Sequence, residues 1–291
     1  MNPWLLAIRP KTLPAGFAPV LIGSAMAFGD GGFHAPTALA CLIAALLIQI
    51  GTNLANDYFD FQKGADVNRV GPIRVTQAGL IKPAVVLTAT IIVFTLAALL
   101  SAYLVCRGGY ILGIIAVASI ISGILYTAGP KPLGYLGLGE IFVFIFFGPV
   151  AVAGTYYVQT LDMNWAVVAA GLAPGFLSCA ILAVNNLRDI EGDRKAGKMT
   201  LAVRLGRDFS VCEYLFFILA TTISPFLVFI ITHDHVGIVA ASIVGFLAMG
   251  TLKTVITSTD NRLLNKALAK TGLWLVIYSV LFSGGWILCS H

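Results

Sequence analysis

Apolar residues run along this chain in long blocks, separated by short polar stretches. A helix needs roughly 20 apolar residues to cross a hydrocarbon core. Nine blocks approach that length, at about residues 13–29, 35–55, 84–105, 109–127, 139–160, 165–186, 213–232, 236–256 and 270–288. The first is rich in helix-bending residues (Pro14, Gly16, Pro19, Gly23) and predicts a kinked helix. The expectation is an all-α polytopic membrane protein with about nine transmembrane helices around a central cavity.

Composition narrows the class further. Of 291 residues, 58% are hydrophobic and 11% are charged, against about a quarter charged in a soluble domain. Mean hydropathy is +0.93. So few charges cannot coat a compact soluble body, and they exclude a disordered chain and a basic nucleic-acid-binding surface. The five cysteines (Cys41, Cys106, Cys179, Cys212, Cys289) form no C-x-x-C pair, so a disulfide framework is not expected. Arg9, Pro10 and Lys11 precede a long span without a small-residue cleavage site, and no cleavable signal is predicted.

Charge then orients the spans. With nine spans and a cytoplasmic N-terminus, every lysine and arginine except Arg107 falls on the cytoplasmic side, as the positive-inside rule requires. His34, His233, His235 and His291 fall on the outer side, where solvated surface positions are expected. Two cytoplasmic loops, about 56–83 and 187–212, are longer than the rest and lie four helices apart. Each carries acids followed by bases. This suggests one domain, residues 1–291, made of two four-helix halves and a ninth helix.

The candidate chemistry sits in those loops. Asn53, Asp57 and Asp60 are spaced i, i+4, i+7. Asn185, Asp189 and Asp193 are spaced i, i+4, i+8. Each set shares one face if its helix continues. Carboxylates at a membrane boundary are costly to desolvate, and two facing clusters repel. A divalent cation resolves both problems, and an all-oxygen set of Asp and Asn suits Mg²⁺, which is commonly shared with substrate phosphates. Lys63, Arg69, Arg74, Lys131, Arg188, Lys195 and Lys198 are placed to take phosphate oxygens. Metal, phosphate and a greasy cavity together imply an isoprenoid diphosphate. The bland reading of one such cluster is solvated loop surface; two clusters at equivalent helix ends favour a site.

Asn56-Asp57-x-x-Asp60 and Asp189-x-x-x-Asp193 resemble the two signatures of the UbiA-type intramembrane aromatic prenyltransferases. Arg9-Pro-Lys-Thr-Leu-Pro14, the run Asn53–Asp66, Gly71-Pro-Ile-Arg74, Tyr126-Thr127, Lys131, Gly134-Tyr135-x-Gly137-x-Gly139-Glu140 and Asn185–Gly192 with Asp193-Arg194-x-x-Gly197-Lys198-x-Thr200-Leu201 are similar to the branch that prenylates 1,4-dihydroxy-2-naphthoate in menaquinone synthesis. The simplest family pattern puts a third Asp four residues after the second; here Asp66 lies six after Asp60.

The resemblance implies Mg²⁺-dependent prenyl transfer from a polyprenyl diphosphate to an aromatic acid, in a bacterial inner membrane with the active-site loops cytoplasmic. It assigns metal binding to Asp57, Asp60, Asp189 and Asp193, supported by Asn53, Asn56, Asp66 and Asn185. It assigns diphosphate binding to Lys63, Arg74, Lys131, Arg188 and Lys198, and the acceptor or cavity to Arg9, Thr12, Tyr126 and Tyr157. Glu140 is a rare acid near the membrane, expected to orient Lys131. The rivals are a relative using 4-hydroxybenzoate or homogentisate, a secondary transporter, and an assembly protein. A transporter would place ionisable groups near the bilayer midplane, whereas these acids gather at one face. No protein partner is evident.

Overall fold

The computed structural model describes residues 2–65, 71 and 73–289. Asp66, Arg69 and His291 lie outside the described residues. In chain order the helices are α1 (Pro3–Ile8), α2 (Pro14–Gly29), α3 (Ala35–Gln62), α4 (Pro83–Gly108), α5 (Tyr110–Leu125), α6 (Gly139–Phe147), α7 (Pro149–Thr160), α8 (Trp165–Ala170), α9 (Leu172–Lys195), α10 (Leu201–Thr232), α11 (Ile243–Leu247), α12 (Met249–Thr257) and α13 (Asn261–Leu288). Prolines open α1, α2, α3, α4 and α7, where a missing N–H costs nothing. Side chains of Asn2, Asn164, Thr200 and Asp260 cap α1, α8, α10 and α13.

Among the described residues, seven helical segments are long and apolar enough to cross a membrane. A pair bent by 51°, Pro3–Thr12 with Pro14–Gly29, gives an eighth. The shorter α5 fills the remaining predicted place. Besides the break at Ala248 between α11 and α12, spans are broken inside the apolar region at Gly148 between α6 and α7 and at Gly171 between α8 and α9. The two glycine breaks touch: a Cβ on Gly148 would lie 2.6 Å from the Gly171 carbonyl oxygen.

The predicted boundaries fall short where charges begin. α3 runs to Gln62 rather than 55, and α9 to Lys195 rather than 186. α10 starts at Leu201 rather than 213, with a break at Gly206 (φ 84°), and α13 starts at Asn261 rather than 270. Hydropathy marks where lipid ends. The helical ladder continues until a cap or a glycine stops it.

The span Trp165–Lys195, α8 with α9, is the most enclosed among the described residues, with 78% of its most apolar stretch buried, against 28% for α4. α9 packs on α10, α13 and α6, and the main core joins it to α2 through Ile22, Met26, Leu177, Tyr214, Tyr278 and Phe282. The outward faces of α4, α5 and α10 expose Ile91, Leu99, Ile114 and Ile223, a surface suited to hydrocarbon. His235 departs from the expectation of a solvated histidine. Its backbone turns at φ 58° and lays the ring on Trp286, with centroids 3.8 Å apart and Nδ1 2.9 Å from the Trp286 carbonyl.

Candidate active site

Because α3 continues to Gln62, its motif is helical and buried: Asn53, Asn56, Asp57 and Asp60 are all 8% exposed or less. Asn53 Nδ2 donates to the Ile8 carbonyl (2.9 Å) and to Thr12 (3.2 Å), fastening the N-terminal segment onto α3. Asn56 accepts from the Thr127 hydroxyl at 2.9 Å. Asp57 accepts the backbone N–H groups of Val75 (3.2 Å) and Thr76 (3.0 Å), so it anchors the loop leading to α4. Asp60 pairs with Arg74 at 2.9 Å through one oxygen and accepts from the Tyr135 hydroxyl (3.1 Å) through the other.

The second motif sits on the last turns of α9. Arg188 donates Nε to Asp189 (2.7 Å), Nη1 to Asn265 of α13 (2.7 Å) and Nη2 to Asn185 (2.8 Å). Asp193 lies 3.4 Å from the Lys198 ammonium. The chain gets Lys198 there by reversing at Gly197, φ 71°, a conformation that costs glycine nothing. Lys198 N–H donates back to the Asp193 carbonyl (2.8 Å) and Gly197 N–H to that of Arg194 (3.2 Å), a Schellman cap.

A polar chamber of about 160 Å³ opens between these helix ends. Arg9, Thr12, Asn53, Asn56, Asp60, Arg74, Tyr126, Asn185 and Lys198 from the predicted set line it. Behind it lies a second cavity of about 180 Å³ between α2, α3, α4, α5, α6 and α7, walled by apolar groups such as Val20, Ile48, Leu104, Leu112, Phe146 and Val158. Thr52, Tyr126, Val143 and Phe147 line both, so polar mouth and apolar recess meet at Tyr126.

Asp57, Asp189, Asp193 and Arg188 are not among the residues lining either cavity, and other expected residues lie elsewhere too. Tyr157 is not among the residues lining either cavity; it packs with Val20, Leu112 and Val158 because its turn of α7 faces α4 and α5. Lys131 is exposed on the turn after α5, away from the chamber wall. Glu140 does not orient it: Asn186 Nδ2 donates to Glu140 at 2.9 Å inside the bundle. Lys63 donates to the carbonyls of Thr127 (2.7 Å) and Gly129 (2.9 Å). Partial burial pushes its ammonium below the usual lysine range, opposed by the Asp60 carboxylate. Gln49, Thr127, Ser178 and Asn186 line the chamber although the sequence reading gave them no role in the site. Asn186 is the second of two adjacent asparagines, and its repetition was the available signal. Thr127 belongs to the Tyr126-Thr127 pair of the family pattern, whereas Ser178 and Gln49 carry no pattern that separates them from other helix polar residues.

Asp60, Asn56, Asn185 and Asn186 present only oxygen and amide donors to the chamber, a set that fits a hard cation such as Mg²⁺. Among the described residues no three carboxylates, histidines or cysteines stand together as a ready-made metal cage. Three of the four aspartates instead pair with an arginine or lysine of the same site. That pattern suits a cation that arrives with an anion.

A membrane-spanning helical body with a charged mouth opening onto an apolar recess defines a protein for an amphiphile with an anionic head and a greasy tail. Residues 16–279 match the UbiA prenyltransferase family, and the chain belongs to it. It is therefore a prenyltransferase and an integral membrane protein. The 1,4-dihydroxy-2-naphthoate octaprenyltransferase of Mycobacterium tuberculosis is 39% identical over 285 residues, covering 97% of this chain and 95% of that one. The protein of the same description from Escherichia coli is 44% identical over 210 residues, covering 70% and 68%. In fold, a UbiA homologue from Archaeoglobus fulgidus solved with GPP and Mg²⁺ superposes with TM-score 0.66 at 16% identity, covering 97% of this chain and 100% of that one.

Proposed function

We propose that this enzyme transfers a polyprenyl group from polyprenyl diphosphate to 1,4-dihydroxy-2-naphthoate, with loss of CO₂ and diphosphate. The product is demethylmenaquinone in its reduced, quinol form. The observation that carries this reading is the junction at Tyr126, where the charged chamber meets the apolar recess. A prenyl diphosphate laid across it has its head among the motifs, its tail in the recess and its scissile allylic C–O bond between them.

Asp60, Asp189 and Asp193, with Asn56 and Asn185, are the proposed holders of Mg²⁺. Asp57 supports them by anchoring the loop that carries Arg74. The metal, when bound, supplies charge neutralisation for the departing diphosphate. Arg74 and Lys198 take phosphate oxygens, while Arg188 keeps Asp189 and Asn185 aligned. Each of these cations is paired with a motif aspartate in the chain alone. A metal diphosphate brings both signs at once, so pairs exchange partners and no buried charge is stranded. Tyr126 turns its ring toward the carbon that loses the diphosphate, and the apolar recess keeps water from it. Arg9 and Thr12 hold the acceptor's carboxylate loosely, since it must leave as CO₂ when the new C–C bond forms at that ring carbon.

The same reading makes the chain one domain of two four-helix halves and a closing ninth helix, each half contributing one motif. It places both motifs on the cytoplasmic side of a bacterial inner membrane. Cysteines introduced at Lys63 or Lys195, in a background without the native cysteines, should resist an impermeant thiol reagent in intact cells; labelling there overturns the orientation. Purified protein given Mg²⁺ and a short prenyl diphosphate should consume the dihydroxynaphthoate and release one CO₂ per product. Faster turnover of 4-hydroxybenzoate without CO₂ moves the acceptor assignment and leaves the diphosphate site intact.

A further inference from the structure

Tyr135 is half-buried beside the first motif and belongs to neither aspartate motif. It ends a short 3₁₀ turn, Leu133–Tyr135, between α5 and α6. Four contacts converge on it. Its hydroxyl donates to Asp60 Oδ1 at 3.1 Å, the oxygen not used by Arg74. The Lys63 ammonium stands 4.7 Å from the ring centroid, and the Lys198 ammonium 6.0 Å. Its carbonyl accepts the Met199 N–H at 3.1 Å, tying the turn to the segment after α9. One side chain thus touches the carboxylate of the first motif, the lysine that follows it, and the lysine paired with the second motif's Asp193.

Each contact has a physical consequence. Asp60 carries two lone-pair directions toward fixed donors, Arg74 and Tyr135, so its carboxylate plane is set before any ligand arrives. A ring face within about 6 Å attracts an ammonium without consuming its three N–H donors. Lys198 stays oriented and can still donate to a phosphate oxygen. A carboxylate in place of the phenol would hold the lysines too but would repel diphosphate; the ring does not.

We propose that Tyr135 is a positioning residue that couples the two motifs: its hydroxyl sets the Asp60 carboxylate for the metal, and its ring face sets Lys198 for the diphosphate. The inference rests on the metal-diphosphate reading of the site. It separates into two halves that different substitutions remove. Tyr135→Phe deletes the hydroxyl and keeps the ring. Tyr135→Leu deletes both and keeps an apolar filler.

Mn²⁺ binding followed by electron paramagnetic resonance, with a thiolo analogue of geranyl diphosphate that does not turn over, reports the metal directly. Tyr135→Phe should weaken Mn²⁺ about tenfold, the order of one hydrogen bond to a charged group. Its KM for prenyl diphosphate at saturating Mg²⁺ should stay within about twofold, because the ring face remains. Tyr135→Leu should weaken Mn²⁺ to the same extent and also raise that KM about fivefold, the order of one partly buried cation–π contact. Unchanged Mn²⁺ affinity in Tyr135→Phe overturns the hydroxyl's role, and an equal KM shift in both variants overturns the ring's. A Tyr135→Phe protein that keeps its prenyl diphosphate KM is folded, so its Mn²⁺ affinity reads the hydroxyl alone. Wild-type protein that binds no Mn²⁺ with the analogue fails the metal-diphosphate reading itself, whereas a variant indistinguishable from a wild type that binds Mn²⁺ fails only this inference.

Discussion

α3 and α9 end in the same way and are held in different ways. Asp60 and Asp193 each stand four residues before a glycine of positive φ, Gly64 (68°) and Gly197 (71°). Ala65 N–H returns to the Asp60 carbonyl at 3.0 Å, as Lys198 N–H returns to that of Asp193 at 2.8 Å. Both aspartates therefore sit one turn from a Schellman stop; Asp60 lines the chamber, and Asp193 meets it through Lys198. Beyond the cap the two diverge. The α3 motif is tied to residues distant along the chain: Asp57 to the backbone at Val75 and Thr76, Asp60 to Arg74 and Tyr135. Among the described residues, the α9 motif's contacts run within its own helix and cap, through Arg188 and Lys198, and to Asn265 of α13 through Arg188. Among the described residues, loop closure holds the first motif, and contacts within one helix and its cap hold most of the second.

That difference can be broken at several points. The largest expected effect is on turnover: Asp60→Ala or Asp189→Ala should each lower it at least about 100-fold, or roughly 2.7 kcal/mol of barrier. Asp60→Asn keeps an oxygen for Arg74 and should lose activity to the same order while the protein stays folded. Near-normal turnover in any of these well-folded variants removes the residue from the metal set. Asp57→Asn sharpens the contrast, because it withdraws an acceptor from the α3–α4 loop. It should lower the thermal midpoint as well as turnover, whereas Asp60→Asn should leave the midpoint almost unmoved. Equal midpoints for the two would mean that Asp57 does not hold the loop.

A smaller effect is expected at the outside tie of α9. Asn265→Leu leaves a buried Arg188 donor without its acceptor, a penalty of about 1–3 kcal/mol. Turnover should fall about tenfold, and the Mg²⁺ concentration needed for half-maximal turnover should rise, since Arg188 also aligns Asp189 and Asn185. An unchanged Mg²⁺ dependence would show that the Asn265 tie does not align the second motif. The smallest effect concerns the caps. Gly64→Ala and Gly197→Ala each force a side chain into the left-handed region, at about 1–2 kcal/mol. Thermal stability should drop alike in both. Activity should drop further in Gly197→Ala, because only that turn delivers a lysine onto its own aspartate. Equal activity losses would place the two caps on the same footing.

Nine apolar blocks, the acids at two equivalent helix ends and the D-x-x-x-G ending of each motif are all written in the linear pattern. Local rules act on them: lipid demands a run of apolar residues, a helix face repeats every three to four residues, and glycine alone turns left-handed without strain. What the chain order cannot carry is which partner each charge finds. Arg74 reaches Asp60 because the loop folds back over α3; Glu140 meets Asn186 rather than Lys131 because α6 packs against α9. Tyr135 gathers three charges from two segments distant along the chain, and His235 is drawn onto Trp286 although its position in sequence reads as surface. Those pairings are settled by long-range packing. Two groups become partners when the bundle brings them within about 3 Å, and in a low-dielectric interior any buried charge left without one is too costly to keep.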